Sequence, residues 1–391
     1  MLRNSLRLFV ASALAGALLT GEVAAQETIK VGLVMPLTGV LGPVGKQAVA
    51  GARLYMAQHG DMVAGRKIEL VVRDDASVPD NSKRIAQELI ISEKVAILGG
   101  GLTPNVLAIA PVVNESKTAT VVMVSGTSIV TERSPYFVRT SWTHAQQASV
   151  LANWAAKNGS KRATIIASDW APGHEASGVF SSTFTQAGGS IVESLKVPLA
   201  NPDFAPFLQR ARDGNPDTLF IFVPASQAAV LAKQFVERGL DKSGIKLIGP
   251  GDIADDEDLP GMNDAMIGTV TAGFYSAHHP SAMNREYVAA FQKANANVRP
   301  NFISVSAYDG MHLIYEALKK TEGQTDGPVL VEAMKGMAWE SPRGPMSIDP
   351  KTRDVVQDIY IRRIEKVDGA LYSVELETFK AIKDPTKVAS K

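Results

Sequence analysis

The chain of 391 residues contains no cysteine, and its charges of either sign balance. The absence of cysteine excludes disulfides, thiolate nucleophiles, iron–sulfur clusters and cysteine-based zinc sites. Because 40 Lys and Arg residues match 40 Asp and Glu residues, neither nucleic acid nor an anionic membrane surface is an expected partner. The length predicts about two domains, and the 45% hydrophobic content predicts a globular core.

Beyond the N-terminal region the sequence also lacks any apolar run of membrane-spanning length. Residues 1–25 combine a basic start, an uncharged apolar run from Leu8 to Thr20 and the small residues Val23-Ala24-Ala25. A membrane-spanning helix needs roughly 20 apolar residues, so this shorter run is typical of a cleaved secretion signal. No cysteine follows it to carry a lipid anchor. We therefore expect a mature chain from about Gln26 that is soluble and periplasmic, without direct membrane insertion.

Motifs for catalysis and for nucleotide or metal binding are missing as well. The loop Gly39–Gln47 has neither the glycine spacing of a phosphate loop nor that of a dinucleotide-binding turn. His174-Glu175 lacks the second histidine of HExxH, and the acidic run Asp255–Asp258 lacks the spacing and glycine of a calcium loop. That acidic run is predicted to be a solvated loop. We expect no enzyme, no cofactor and no metal site.

Short β-branched runs alternate with amphipathic stretches along the mature chain. The first pair is a strand at Ile29–Met35 and a helix at Val44–His59, and similar pairs continue to a strand at Ile245–Ile248. This alternation predicts an α/β fold with parallel sheets covered by helices, in two similar lobes that divide near Ser141. Three successive helices and a hairpin around Asp368-Gly369 follow. Because the chain returns to both lobes, its crossings are predicted to form a hinge beside a cleft.

Two loops at the ends of predicted strands carry hydroxyl groups. One contains Thr103 just before a helix, and the other contains Ser125 and Thr127 just after the next strand. In open α/β sheets ligands bind at this edge, where helix N-termini present free N–H groups. These residues therefore suit a carboxylate ligand. The alternative is that the hydroxyls are only helix caps and turn formers.

Ten motifs follow one another in a specific order and spacing over nearly the whole mature chain. They are IKVGLVMPLTG (29–39), GKQAVAGARL (45–54), KIELVVRDD (67–75), ILGGGLTP (97–104), MVSGTS (123–128), YFVRT (136–140), SDWAPG (168–173), FVPASQ (222–227), IGPGD (248–252) and SAYDGMHLIYEAL (306–318). With them the chain resembles the periplasmic solute-binding proteins of branched-chain-amino-acid-type ABC importers. The resemblance implies the type I periplasmic-binding fold, with two doubly wound lobes, a multi-strand hinge and a ligand cleft.

The resemblance also implies how the chain is divided into lobes and which ligand and partner protein it binds. Residues 26–141 with 276–357 would form lobe one, and residues 142–275 with 358–391 would form lobe two. A monomer would close its lobes around a small carboxylate and deliver it to a membrane permease. A ligand sensor of the same fold, regulating a partner protein, is an alternative from another class.

By the same resemblance, the ligand carboxylate would lie at the lobe-one loops containing Leu102, Thr103, Ser125, Gly126 and Thr127. In family members that bind leucine, an acidic residue and tyrosines of lobe two surround the α-ammonium group. Here the acidic position falls on Gly251, and the tyrosine positions fall near Pro172 and on Pro224.

These departures from the family pattern narrow the expected ligand. A buried ammonium without its acidic partner costs several kcal/mol, so a carboxylate without an α-amino group is expected. An aromatic acid of the benzoate, hydroxybenzoate or cinnamate type is favoured, as in the aromatic-acid-binding branch of the family. Trp170 and the pair Phe274-Tyr275 are candidate walls for its ring, with core packing as the alternative for Trp170. If Asp252 instead binds an ammonium, the ligand would be a branched-chain amino acid.

Overall fold

The structure is a computed structural model that describes residues 28–39, 41–199 and 202–388. The predicted secretion signal lies outside the described residues. Within the described ranges, no helix is both long and apolar enough to cross a membrane. Strands and helices are numbered separately in chain order.

The strands β1 to β15 are Ile29–Met35, Met62–Val63, Arg66–Asp74, Ile97–Gly100, Ala119–Val122, Phe137–Arg139, Arg162–Ser168, Ser190–Val197, Thr218–Phe222, Lys246–Pro250, Val270–Gly273, Ala338–Ser341, Gly344–Ile348, Val355–Val367 and Ala370–Ile382. The helices α1 to α11 are Gly42–His59, Pro79–Gln87, Thr103–Ser116, His144–Lys157, Ala171–Gln186, Ala205–Asp213, Ala225–Glu237, Ala282–Ala294, Phe302–Lys320, Gly327–Met334 and Pro385–Val388. Short 3₁₀ turns at Ser128–Glu132 and Gly251–Ala254 lie beside the cleft described below.

The first sheet has the strand order β2-β3-β1-β4-β5-β6, and only the short β2 runs antiparallel to its neighbour. Its central strand β1 is buried along nearly its whole length, as expected for a parallel strand covered on both faces. Helix α1 approaches the backbone of α9 closely at Gly51, where a Cβ would overlap the carbonyl group of Ser304. We call this sheet and its helices lobe one.

The second sheet has the order β12-β13-β14-β11-β10-β9-β7-β8, with β15 paired to β14. Strands β7 to β11 run parallel, and β14 runs antiparallel to β11. We call this sheet and its helices lobe two. Strand β14 pairs with β13 at residues 355–357 and with β11 at residues 360–363. It therefore connects the antiparallel pair β12–β13 to the parallel strands β7 to β11. The assignment of exact residue ranges to the two lobes stays a prediction.

The predicted α/β class is confirmed, and the structure extends several elements. The bounds of β1 are those predicted, α1 begins at Gly42 instead of Val44, and β14 and β15 on either side of the predicted turn each have 13 residues. The turn between them has positive φ at Asp368 (50°) and Gly369 (83°), which is the backbone of a type I′ hairpin turn. The sequence pattern did not predict the short strands β2, β6, β11, β12 and β13.

Candidate ligand-binding site

A cluster of three hydroxyl groups lies where the first sheet meets the cleft. The Thr103 Oγ1 atom lies 2.6 Å from Ser125 Oγ and 3.1 Å from Thr127 Oγ1. Thr103 is the first residue of α3, and Leu102 before it makes no side-chain cap. Thr127 occupies the N-cap position of the 3₁₀ turn at Ser128–Glu132, but its side chain makes no cap hydrogen bond, and the hydroxyls of Thr103 and Thr127 pair with each other instead. The free N–H groups at the start of α3 add a partial positive charge beside this cluster.

The loop that carries Ser125 is braced from behind by a buried arginine. Arg139 is fully buried on β6, and its guanidinium donates to the carbonyl oxygens of Ser125 (2.9 Å), Trp142 (2.8 Å) and Thr127 (2.7 Å). Asp354, 2.9 Å away, balances its charge. Because Arg139 satisfies the carbonyl oxygens of the loop, the hydroxyls of the cluster remain available to a ligand.

Gly126 is the point where this loop touches the start of lobe two. A Cβ at this position would lie 2.5 Å from both Trp142 Nε1 and His144 Nε2, so only glycine permits the contact. The backbone N–H of His144 donates to the Gly126 carbonyl oxygen at 2.8 Å. Neither the Trp142 indole N–H nor His144 Nδ1 has a hydrogen-bond partner among the described residues. Both buried groups are therefore available to a ligand.

Three aromatic rings from separate segments meet beside this loop. Trp142 stacks on Phe274 with centroids 5.6 Å apart, and Phe302 stands edge-on to Trp142 at 4.9 Å. Trp142 comes from the first crossing between the lobes, Phe274 from the segment after β11, and Phe302 from the start of α9. Their faces form an apolar wall of the kind that flat ligands pack against.

A polar end lies opposite, in lobe two. The backbone N–H of Gly251 donates to Gln147 Oε1 at 2.7 Å, and any Cβ at Gly251 would collide with Arg362 Nη2. Arg362 is 2% exposed, donates through Nε to Thr271 Oγ1 at 3.2 Å, and also donates to the Tyr275 carbonyl oxygen. A guanidinium thus fills the space that a side chain at position 251 would need.

At the polar end, a small cavity of about 10 Å³ lies between lobe two and Phe302 of lobe one. Its lining combines lobe-two polar groups with aromatic rings: Gln147, Gly251, Asp252, Ala254, Asp256, Gly273, Phe274, Tyr275, Phe302 and Arg362. This volume holds no more than about one water molecule, so ligand entry requires the lobes to separate.

Direct contacts between the lobes flank the cavity. The backbone N–H and hydroxyl of Ser128 donate to the Glu175 carboxylate at 3.0 and 2.5 Å. On the other side, Asn301 Nδ2 donates to Asp255 Oδ2 at 3.0 Å.

The prediction of a solvated loop at Asp255–Asp258 is wrong for its first half, because Asp256 is 2% exposed. Burial raises the pKa of Asp256 to about 6 and also raises the pKa of Asp255.

The structure brings most of the predicted site residues together. Leu102, Thr103, Ser125, Gly126 and Thr127 lie at the hydroxyl end, while Gly251, Asp252 and Tyr275 line the cavity at the polar end. Trp170, Pro172 and Pro224 are not among the described residues that line it. Trp170 is half-buried against the main core, and its indole N–H has no partner in the described part of the chain. The role of Trp170, Pro172 and Pro224 in ligand binding stays a prediction.

Four site residues were missed by reasoning from the sequence, namely Trp142, His144, Phe302 and Arg362. Trp142 and His144 directly follow the predicted division between the lobes near Ser141. Their position at that division is a sequence signal that could have identified them. Arg362 lies in β14, which is paired along its two edges with β11 and β15, and no local pattern predicts that pairing.

Two α/β lobes, crossing strands and a cleft lined from both sides define a ligand-binding protein of the two-lobed periplasmic type. A family model described as "Periplasmic binding protein" matches residues 28–370, and the chain belongs to that family. It is the solute-binding component of an ABC transporter, which places it in the periplasm with a small-molecule ligand and a membrane permease as partners. The family binds substrates for transport and does not consist of enzymes. The predicted family is confirmed.

Individual relatives cover nearly the whole chain. Leu/Ile/Val-binding protein homolog 6 of Brucella suis biovar 1 is 40% identical, over 96% of this chain and 97% of that protein. A solute-binding protein of an ABC transporter from Rhodopseudomonas palustris BisB5, solved with 3,4-dihydroxybenzoic acid, is 58% identical with a TM-score of 0.88. The match covers 92% of this chain and 99% of that one. Another from R. palustris, solved with 4-hydroxybenzoate, is 41% identical with the same TM-score and coverage.

Proposed function

We propose that this protein captures an aromatic carboxylate of the hydroxybenzoate type and delivers it to the permease of an ABC importer. The observation that carries the proposal is the position of the Arg362 guanidinium over Gly251. In leucine-binding relatives this region would supply a negative charge for the α-ammonium group. Here it supplies a buried positive charge.

An α-ammonium group at this place would be unfavourable. Two like charges in a water-excluded cleft repel strongly, and the ammonium would also lose its hydration. Asp252 is the alternative acidic partner, but its carboxylate lies in the electrostatic field of Arg362 and 3.7 Å from His144 Nδ1. Because positive and polar groups already surround it, Asp252 offers an ammonium little net attraction.

The hydroxyl cluster and the aromatic rings suit the two parts of an aromatic acid. The hydroxyls at Thr103, Ser125 and Thr127, with the N-terminus of α3, supply donors for the carboxylate. Trp142 and Phe302 supply flat apolar surface for the ring. The two R. palustris relatives bind 3,4-dihydroxybenzoic acid and 4-hydroxybenzoate, which supports this ligand class.

Closure of the lobes would follow ligand capture. The ligand would first meet the hydroxyl end on lobe one, and lobe two would then bring Arg362 and Asp252 over it. Contacts such as Ser128 with Glu175 would hold the closed form, and exclusion of water would strengthen the hydrogen bonds inside. The closed form would then dock on the permease.

Calorimetric titration of ligand-stripped mature protein tests the proposal with paired ligands that differ only in the amino group. The pairs are phenylalanine with 3-phenylpropanoate and leucine with 4-methylpentanoate, alongside benzoate, 4-hydroxybenzoate and 3,4-dihydroxybenzoate. We expect binding of the aromatic acids and none of either amino acid. At about 100 times its dissociation constant, a ligand also adds roughly 2.7 kcal/mol to the unfolding free energy. Binding of leucine with no response to aromatic acids would overturn the proposal.

A further inference from the structure

The polar end of the cleft holds buried atoms that lack partners. Asp252 Oδ2, Arg362 Nη2 and the Tyr275 hydroxyl make no hydrogen bond within the described residues, and all three residues line the same cavity. Arg362 and Tyr275 are 2% and 1% exposed, so bulk water does not satisfy them. Such groups are rare in folded proteins and each costs free energy. Their convergence on one cavity indicates that a bound molecule completes the hydrogen bonding.

The opposite hydrogen-bonding properties of Asp252 and Arg362 restrict which chemical group the bound molecule can place between them. An ionised carboxylate only accepts hydrogen bonds, and a guanidinium only donates them. A ligand carboxylate cannot donate to Asp252 and would be repelled by it. An ammonium has no lone pair for Arg362 and would be repelled in turn. A neutral hydroxyl serves both, since its proton goes to the carboxylate and its lone pair accepts from the guanidinium.

From this geometry we infer that Asp252, with Arg362, recognises a ring hydroxyl opposite the ligand carboxylate, so that the protein selects hydroxybenzoates over benzoate. The inference rests on the proposed function and specifies the ligand further. His144 supports the arrangement, because its imidazole reaches from Gly126 at the hydroxyl cluster to Asp252 at the polar end.

The same geometry explains why the negatively charged Asp252 side chain lies in a site that we propose for an anionic ligand. Asp252 would weaken binding of an acid with no ring hydroxyl, because its Oδ2 atom would be desolvated without a donor. A site built to bind a hydroxyl rejects the analogue that lacks it much more strongly than an apolar pocket does. Asp252 is therefore a specificity-determining residue, not a carboxylate-binding one.

The test is calorimetric titration of the mature protein and of Asp252→Ala with benzoate, 4-hydroxybenzoate and 3,4-dihydroxybenzoate. We expect the wild-type protein to prefer the hydroxylated acids by about 10- to 100-fold, as for one hydrogen bond to a charged group. In Asp252→Ala that preference should fall to within about threefold, with benzoate bound at least as well as before. Asp258→Ala, which removes an exposed acid six positions further along the chain, is the matched control and should keep the wild-type preference.

Absorption spectra provide a second measurement on the same complexes. Because the Asp252 carboxylate accepts a hydrogen bond from the ring hydroxyl and disfavours a second negative charge, bound 4-hydroxybenzoate should keep the spectrum of the neutral phenol at mildly alkaline pH. In Asp252→Ala, Arg362 is left as the partner and favours the phenolate, so the phenolate spectrum should appear at lower pH.

The outcomes separate this inference from the proposed function. If the wild-type protein binds benzoate as tightly as 4-hydroxybenzoate, or if Asp252→Ala weakens all three acids equally, the hydroxyl inference is wrong and the proposed function stands. If no aromatic acid binds the wild-type protein, both are wrong.

Discussion

Replacing Thr103 with valine tests whether the hydroxyl cluster is the carboxylate site. Valine keeps the size and branching of threonine but removes the hydroxyl, which lies 2.6 Å from Ser125 Oγ and 3.1 Å from Thr127 Oγ1. Thr103 is the central member, so the change removes one donor and leaves the other two hydroxyls without their shared partner. The chain has no structural reason to unfold, because the first turn of α3 retains a β-branched side chain of the same volume.

The expected loss of affinity follows from the charge of the ligand. A hydrogen bond to an ionised group contributes about 1.5 to 3 kcal/mol, which corresponds to roughly 10- to 150-fold in the dissociation constant. Isothermal titration with 4-hydroxybenzoate should show this loss for Thr103→Val. The unfolding free energy without ligand should change by less than about 1.5 kcal/mol, the usual value of one neutral hydrogen bond.

Thr118→Val is the matched control for this experiment. Thr118 is 7% exposed, against 8% for Thr103, and its hydroxyl also pairs with a serine, Ser116, at 2.8 Å. It precedes β5, whereas Ser125 follows that strand, so the control lies at the opposite edge of the sheet. The control should bind 4-hydroxybenzoate as the wild-type protein does. Equal affinity in both variants would refute the assignment of the carboxylate to the cluster.

Two further predictions concern buried charges. Arg139→Met should lower the unfolding free energy by at least about 2 kcal/mol, because it removes three buried hydrogen bonds to loop carbonyl oxygens and one of the two cations beside Asp354, which keeps Lys387. Urea denaturation measures this, and a loss as small as the 0–1 kcal/mol expected for the half-exposed Arg363→Met would contradict it. Burial raises the pKa of the Asp256 carboxyl to about 6, although two nearby arginines lower it. The folded chain therefore keeps the proton on Asp256 to higher pH than the unfolded chain does. The stability from this group is therefore full below about pH 4 and declines by up to ~3 kcal/mol as pH rises through 6. Asp256→Asn should flatten that part of the wild-type profile, and identical profiles would show that the carboxyl does not titrate there.

The sequence by itself determined the class of fold, the family and the position of the hydroxyl cluster. Alternating strands and helices such as β1 and α1 are local patterns, since their periods of 2 and 3.6 residues are set by backbone geometry. The loops at Thr103 and Ser125 were predictable because parallel strands end at one edge and the helices after them begin there.

Only the tertiary structure decided the other end of the site. Arg362 reaches Gly251 because β14 pairs with β11 within the second sheet. Trp142 and Phe302 meet although 160 positions separate them in the chain. The acidic run at Asp255 was assigned to solvent because its composition is polar, yet its burial depends on how lobe one packs against it. Contacts of this kind depend on the free energy of the assembled lobes, and no local period of the sequence encodes them.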